Sequence, residues 1–359
     1  MQSRSHSHEN SNANELRLRA SIRELQQLIN GISFTSSSSS NSPLVPAHLT
    51  SLINDAAYHE DQSNLSNEMY ESVVKEMALF VSSTIASFGK SFESEGVYNP
   101  ELLKLYDALV WGFNSPFLWR ITQNDISSLY EMNASPHNHC EIAVGTGLFL
   151  SELVALPSMK HIALLDLNEN CLRVCEERIK DVCHRRHHHQ LNDTPDNVAS
   201  VPDVSKLLVD IMMSPQTNND PMKGGDDGVH ILQSPLTPIR GKFQSVGVNF
   251  LFHCLHGSNL YDKMHAFHNC ASLLDPQDGV FFGSTILGKE MLDDEPNAGE
   301  TAMHVLRAFN DMGVFGNLGD SFQDLEDILT VIFEDVDVYR VGYCGVWMAR
   351  HPKAYIREE

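Results

Sequence analysis

The stretch "CEIAVGTGLFLSEL" (140–153) constrains the fold of this chain more than any other. A short apolar run breaks on Gly145-Thr146-Gly147 and passes into a segment with helical spacing. A strand that bends through glycines into a helix is the opening half of a βαβ unit. The bend lets a ligand approach the backbone closely, and residues further along the chain decide which ligand that is.

From Cys140 onward the same alternation recurs. Strands are expected at "CEIAV", "HIALLDL", "KLLVDI", "SVGVNFLF", "GVFFGSTIL", "VDVYRVGY" and "GVWMAR". Helices are expected between them at "GLFLSELVAL", "ENCLRVCEERIK", "LYDKMHAFHNCASLL" and "FQDLEDILTVIF". The last two strands leave no room for a crossover helix, so they close as an antiparallel hairpin around Tyr343-Cys344-Gly345. The expected class is therefore α/β: a Rossmann-like, seven-stranded, mainly parallel sheet with the last strand antiparallel and helices on both faces.

Ahead of the sheet, residues 1–65 read as a disordered or weakly helical leader. Within it, "LRLRASIRELQQLINGI" (16–32) has an apolar stripe and is followed by the polar tract "TSSSSSNSP". Residues 66–120 read as an N-terminal helical cap or lid, with Pro100 at a helix start. Residues 121–355 form the main domain, with surface insertions near 184–204 and 214–240, both rich in Pro, Gly, Asn and Asp.

A formal net charge of -22 argues against a nucleic-acid partner, since displacing counterions from phosphates needs clustered Lys and Arg. The one dense basic run, "HRRHHH" (184–189), reads as solvated loop. No apolar run reaches the roughly 18–20 residues that span a bilayer, so no membrane is expected as a partner. The start of the chain has no apolar signal core. Seven cysteines, scattered through predicted strands and helices, point to free thiols in a reducing, cytoplasmic compartment. Cys171, Cys175 and Cys183 lie near the histidine run, but no Cys-x-x-Cys pair supports a metal site, and none is expected.

Three adenosine-type ligands compete for the glycine turn. A phosphate loop needs a Lys followed by Ser or Thr, which is absent. A dinucleotide turn needs a third glycine where Leu150 stands. The segment resembles the acid-x-Gly-x-Gly-x-Gly motif of class I S-adenosylmethionine-dependent methyltransferases. Glu141 takes the acidic place, Ala143 replaces the first glycine with an expected negative φ, and Gly145 and Gly147 match the others. That resemblance implies S-adenosyl-L-methionine as cofactor, held by Glu141, Gly145, Thr146 and Gly147. Asp166 lies about twenty residues beyond the turn, the spacing of a ribose-binding acid. Leu167 belongs to the same site, while Asp210 and Ile211 stand where the family places residues beside adenine.

Four further patterns resemble a small-molecule subgroup of these methyltransferases, over about 98–350. They are "YDALVWGFNSPFLWR" (106–120), "NFLFHCLHG" (249–257), "LLDPQDGVFFGSTILG" (273–288) and "NDMGVFGNLGD" (310–320). The end of the fourth strand then borders the reactive methyl, which makes His253 and His256 candidate bases and Asn249 and Phe250 cofactor contacts. Tyr106 is the candidate lid residue, and Met291–Phe322, apolar with few charges, is expected to select a small, neutral or hydrophobic acceptor. An NAD(P)-dependent oxidoreductase and a methyltransferase-like scaffold without turnover stay open. Oligomeric state is not legible.

Overall fold

The computed structural model describes residues 21–36, 45–88, 98–190, 201–213 and 235–353. Seven strands form one sheet in the order β3-β2-β1-β4-β5-β7-β6. They are β1 (Asn138–Ile142), β2 (His161–Asp166), β3 (Asp203–Leu208), β4 (Ser245–Asn249), β5 (Val280–Ile286), β6 (Phe333–Val341) and β7 (Cys344–Pro352). The first five run parallel, and β7 inserts antiparallel between β5 and β6. The closing hairpin turns at Gly342-Tyr343, as the missing crossover requires.

The central strands are apolar on both faces. Ile162 and Leu164 of β2 enter one core while Ala163 and Leu165 enter the other, the period-two alternation of a sheet covered on both sides. Helices supply the covers. They are α1 (Ile22–Ser36), α2 (Ala47–Asp61), α3 (Asn67–Phe88), α4 (Pro100–Tyr106), a π-helix (Asp107–Trp119), α5 (Gln123–Asn133), α6 (Leu148–Glu152), α7 (Glu169–Gln190), α8 (Met264–Ser272), α9 (Gly288–Asp293), α10 (Glu295–Ala298), α11 (Glu300–Asp311) and α12 (Phe322–Ile332). Local chemistry starts several of them. Asn99 accepts from Leu102 N–H with Pro100 at the first helical position, and Thr122 and Asp125 form a reciprocal capping box on α5.

Two stretches differ from the sequence expectation. Part of the weak leader is packed: Ile22, Leu25 and Ile29 of α1 and Leu49 and Ile53 of α2 are buried in the same core as α3. The reason is the apolar stripe itself, which finds a partner in the π-helix at Gly112, where an added Cβ would lie 2.8 Å from Leu28 Cδ1. Residues 1–20 and 37–44, including most of the serine tract, lie outside the described residues. The basic run at 184–189 continues α7 instead of forming a loop. Arg186 explains part of this, since its guanidinium donates to the carbonyls of Ser151, Glu152 and Leu153 at the end of α6. Of the two insertions, residues 191–200 and 214–234 lie outside the described residues. Among the described residues no helix is long and apolar enough to cross a membrane.

Candidate active site

At the end of β1 the chain makes three left-handed residues in five: Ala143 (φ 56°), Gly145 (φ 51°) and Gly147 (φ 71°). The expectation of a negative φ at Ala143 is therefore wrong. The turn keeps the shape that glycines favour and forces an alanine into it, at about 1–2 kcal/mol of local strain. The two glycines do different work. A Cβ on Gly145 would meet nothing within 4 Å, so its face is open. A Cβ on Gly147 would lie 2.5 Å from Cys175 Sγ, so Gly147 lets α7 pack against the turn. Gly145 and Thr146 line the cavity, whereas Gly147 faces α7 and is not part of its lining.

That open face borders a cavity of about 1070 Å³, counting its mouth. Glu141, Asn249 and Phe250 line it from the ends of β1 and β4, Asp166 and Leu167 from β2, Asp210 and Ile211 from beyond β3, and Tyr106 from the cap. This is the carboxyl end of the parallel strands, where open α/β sheets bind ligands. Asp166 and the glycine turn are directly joined. Ala143 N–H donates to Leu165 O at 2.8 Å, and the Asp166 carboxylate takes backbone hydrogen bonds from Val144, Gly145, Leu167 and Asn168, the last at 2.8 Å. Burial still prevails over these donors and pushes the Asp166 carboxyl up to about 6. A half-buried carboxylate at the strand tip, beside a turn with space above it, fits a nucleoside sugar. Asp210 Oδ1 accepts from Met212 N–H at 2.8 Å and so also shapes its own turn.

Two contacts made by the turn were invisible in the sequence. Thr146 Oγ1 donates to Asp107 Oδ1 at 2.5 Å, and Arg178 Nη1 bridges Asp107 Oδ2 (2.6 Å) and Thr146 O (3.3 Å). The hydroxyl of Thr146 is thus directed toward the π-helix. Tyr98, Trp111 and Tyr130 also line the cavity, all from helical or loop segments ahead of β1. The Trp111 ring stands edge-on to Phe149 (4.5 Å, 85°) and Phe250 (4.6 Å, 72°). In the same aromatic segment Phe113, Phe117 and Trp119 are buried in the core, whereas Tyr106 faces the cavity.

Phe250 also has left-handed backbone (φ 57°), an uncommon state for a bulky residue. With Tyr98, Tyr106 and Cys254 it forms the wall between the first cavity and a second, of about 610 Å³ counting its mouth. The second cavity is apolar apart from the wall tyrosines, Asn114 and His253. His253 is 3% exposed, and its Nδ1 has no hydrogen-bond partner. Burial, reinforced by the nearby Lys263 charge, depresses its imidazole to about 3, so it stays neutral at physiological pH. His256 is exposed and lines neither cavity, because the chain turns outward after Leu255. The structure does not bring it to the site.

Phe309, Val314 and Phe315 cover the second cavity from the region expected to select the acceptor. Asparagines hold this segment in shape: Asn310 donates to Asn317 Oδ1 at 2.9 Å, and Asn317 Nδ2 donates to Ile286 O at 3.1 Å. Below it, Lys263 and Asp320 form a fully buried ion pair at 2.6 Å, and Lys263 also donates to Gly316 O. Among the described residues no group of three His, Cys, Asp or Glu is placed to hold a metal. All seven cysteines are free thiols, Cys171 lining the first cavity and Cys175 seated against Gly147.

No family model matches the chain. Curated relatives do. O-methyltransferase NEC2 of Pyricularia oryzae is 26% identical over 72% of this chain and 92% of its own length. The physcion biosynthesis cluster O-methyltransferase of Aspergillus chevalieri is 27% identical over 72% and 94%. Demethylluteothin O-methyltransferase of Streptomyces thioluteus is 25% identical over 72% and 90%. With the sheet order, the glycine turn joined to Asp166 and the cavity above them, the chain is similar to class I S-adenosylmethionine-dependent methyltransferases.

Proposed function

We propose that this chain transfers the methyl group of S-adenosyl-L-methionine to a hydroxyl of a small, neutral, largely apolar organic molecule. The observation that carries this reading is the pair of cavities meeting at Phe250. One has a floor of backbone amides and carboxylates, and the other has almost no polar lining. The names of the curated relatives, O-methyltransferases of fungal and bacterial origin, favour oxygen as the acceptor atom and specialised metabolism as the setting. The free thiols favour a reducing, cytoplasmic compartment.

Gly145 and Thr146 would hold the amino-acid part of the cofactor, Glu141 its ammonium, Asp166 and Leu167 the ribose, and Asp210 and Ile211 the adenine. When bound, the cofactor would supply an electrophilic methyl group to the acceptor oxygen. Phe250, Tyr106 and Trp111 set the narrow passage between the cavities and exclude water from it, so that acceptor and methyl meet in line. His253 accepts a hydrogen bond from the acceptor hydroxyl. Its depressed basicity makes it a weak proton acceptor toward an alcohol and better matched to a more acidic hydroxyl, such as a phenol.

Incubating the full chain with methyl-labelled cofactor and a panel of phenols and aliphatic alcohols, with mass-spectrometric detection, tests this. The reading predicts labelled ethers from the phenols. Labelled product on an amine or carbon acceptor alone would replace oxygen as the target.

A further inference from the structure

Glu141 sits on β1 with its carboxylate 6% exposed at the floor of the first cavity, and among the described residues it has no Lys or Arg partner. Two arms of buried hydrogen bonds converge on it. In one, Ser135 N–H donates to Ser245 Oγ (2.7 Å), Ser245 Oγ meets His139 Nδ1 (2.8 Å), and His139 Nε2 meets Glu141 Oε2 (3.0 Å). In the other, Ser284 Oγ donates to Asn249 Oδ1 (2.8 Å), Asn249 Nδ2 donates to Tyr130 Oη (2.9 Å), and Tyr130 donates to Glu141 Oε1.

The proton directions follow from the chemistry. A carboxylate oxygen only accepts, so His139 presents Nε2–H to Glu141 Oε2; a neutral ring then accepts the Ser245 hydroxyl proton at Nδ1, and a charged ring donates there to the second lone pair of Ser245 Oγ. Tyr130 Oη accepts from an amide N–H, so its proton also goes to Glu141. Both arms therefore deliver a donor to Glu141, one to each carboxylate oxygen, and charge-assisted bonds of this kind favour the ionised form.

The neighbouring strand is built around the same carboxylate. Gly247 lies mid-strand in β4, where glycine ordinarily weakens pairing. A Cβ there would lie 2.6 Å from Glu141 Oε2 and 3.2 Å from His139 Cε1.

An ionised, buried carboxylate without a protein cation is costly unless a ligand supplies the cation. Resting on the functional reading above, we propose that Tyr130 and His139 are positioning residues of the cofactor site. They hold Glu141 as a fixed anion for the cofactor's ammonium, and Tyr130 ties that anion to Asn249 at the end of β4. The titratable groups facing Glu141 are His139 and Cys140 from β1, Tyr130 from α5 and Cys175 from α7. Burial outweighs the lowering effect of His139 and Tyr130 and leaves the Glu141 carboxyl raised, so the two donors and a bound ammonium together favour the anion. Removing either donor moves the acid limb of ammonium binding to higher pH.

The test is calorimetric titration of full-length wild type, Tyr130→Phe and His139→Gln between pH 5 and 8. The ligands are S-adenosylhomocysteine and 5′-methylthioadenosine, which lacks the ammonium and carboxylate. Tyr130→Phe keeps the ring that stacks on Phe149 and meets Phe282 edge-on, and His139→Gln is an independent second variant. The expected result for either is roughly tenfold weaker S-adenosylhomocysteine at pH 7, an acid limb at higher pH, and unchanged methylthioadenosine affinity. Equal losses for both nucleosides, or no loss for either, would overturn the assignment. A wild type that binds neither nucleoside would overturn the functional reading beneath it as well.

Discussion

Thr146, at the centre of the glycine turn, donates its hydroxyl proton to Asp107 of the π-helix across 2.5 Å. Arg178 of α7 closes the triangle by binding both the Asp107 carboxylate and the Thr146 carbonyl. Three elements distant in sequence thus share one partly exposed polar junction beside the cavity, and the cap is tied to the turn it covers.

Asp107→Ala should loosen that turn without emptying the cavity. The pair is about a third exposed, so solvent screens much of its strength. Affinity for S-adenosylhomocysteine should fall by roughly three- to tenfold, read by calorimetry, with the melting temperature little changed. Unaltered affinity would show that the junction does not support the turn.

Ala143→Gly should stabilise the fold. Relief of left-handed strain contributes about 1–2 kcal/mol, and the greater freedom of glycine in the unfolded chain offsets about 0.5–1 kcal/mol. A net gain of about 0.5 kcal/mol should appear as a higher urea midpoint at constant slope. A loss of stability would mean that Ala143 packing outweighs its backbone cost.

His253 makes a pH prediction. Its folded imidazole is depressed to about 3 from the ordinary 6.5, so the unfolded chain binds the proton more tightly between those values. This group's contribution to stability is present above pH 6.5 and is lost as pH falls from 6.5 toward 3. His253→Phe should flatten that part of the acid-unfolding curve. His253→Gln should lower kcat about a hundredfold with S-adenosylhomocysteine affinity unchanged. A wild-type kcat limb near 6.5 would contradict a neutral, desolvated imidazole.

Lys263 and Asp320 are each fully buried. Lys263→Met should destabilise the protein by about 3–5 kcal/mol, because it strands a carboxylate in the core. The double change Lys263→Met with Asp320→Leu should recover much of that loss in thermal unfolding. A double variant as unstable as the single would place the cost in packing instead of charge.

The central strands were legible because each is a short apolar run bounded by polar or glycine residues, and β6 and β7 declared their hairpin by the lack of a helix between them. Gly145 and Asp166 were legible because their spacing reflects one strand–turn–helix unit. Tyr130, His139, Ser245 and Ser284 were not, since nothing local distinguishes a core serine from one that ends a hydrogen-bond chain. Gly247 was the one visible trace of that chain, as a glycine in the middle of a strand. The φ of Ala143 was missed because residue identity suggested a backbone state that the turn overrode. The packing role of Gly147 was not legible, because Cys175 lies on α7 and only the fold brings it near. The packing of α1 was half visible: its apolar stripe could be read, but the surface that covers it could not.

Calorimetric titration of the full chain with S-adenosylhomocysteine, wild type beside Asp166→Ala, bears most directly on the proposed nucleoside site spanning Gly145 and Asp166. Saturable binding by the wild type and a loss of roughly a hundredfold in the variant are expected, since a carboxylate facing two ribose hydroxyls makes two charge-assisted hydrogen bonds. Equal affinity in the two proteins, or a wild type that takes NADH and leaves S-adenosylhomocysteine unbound, would contradict it.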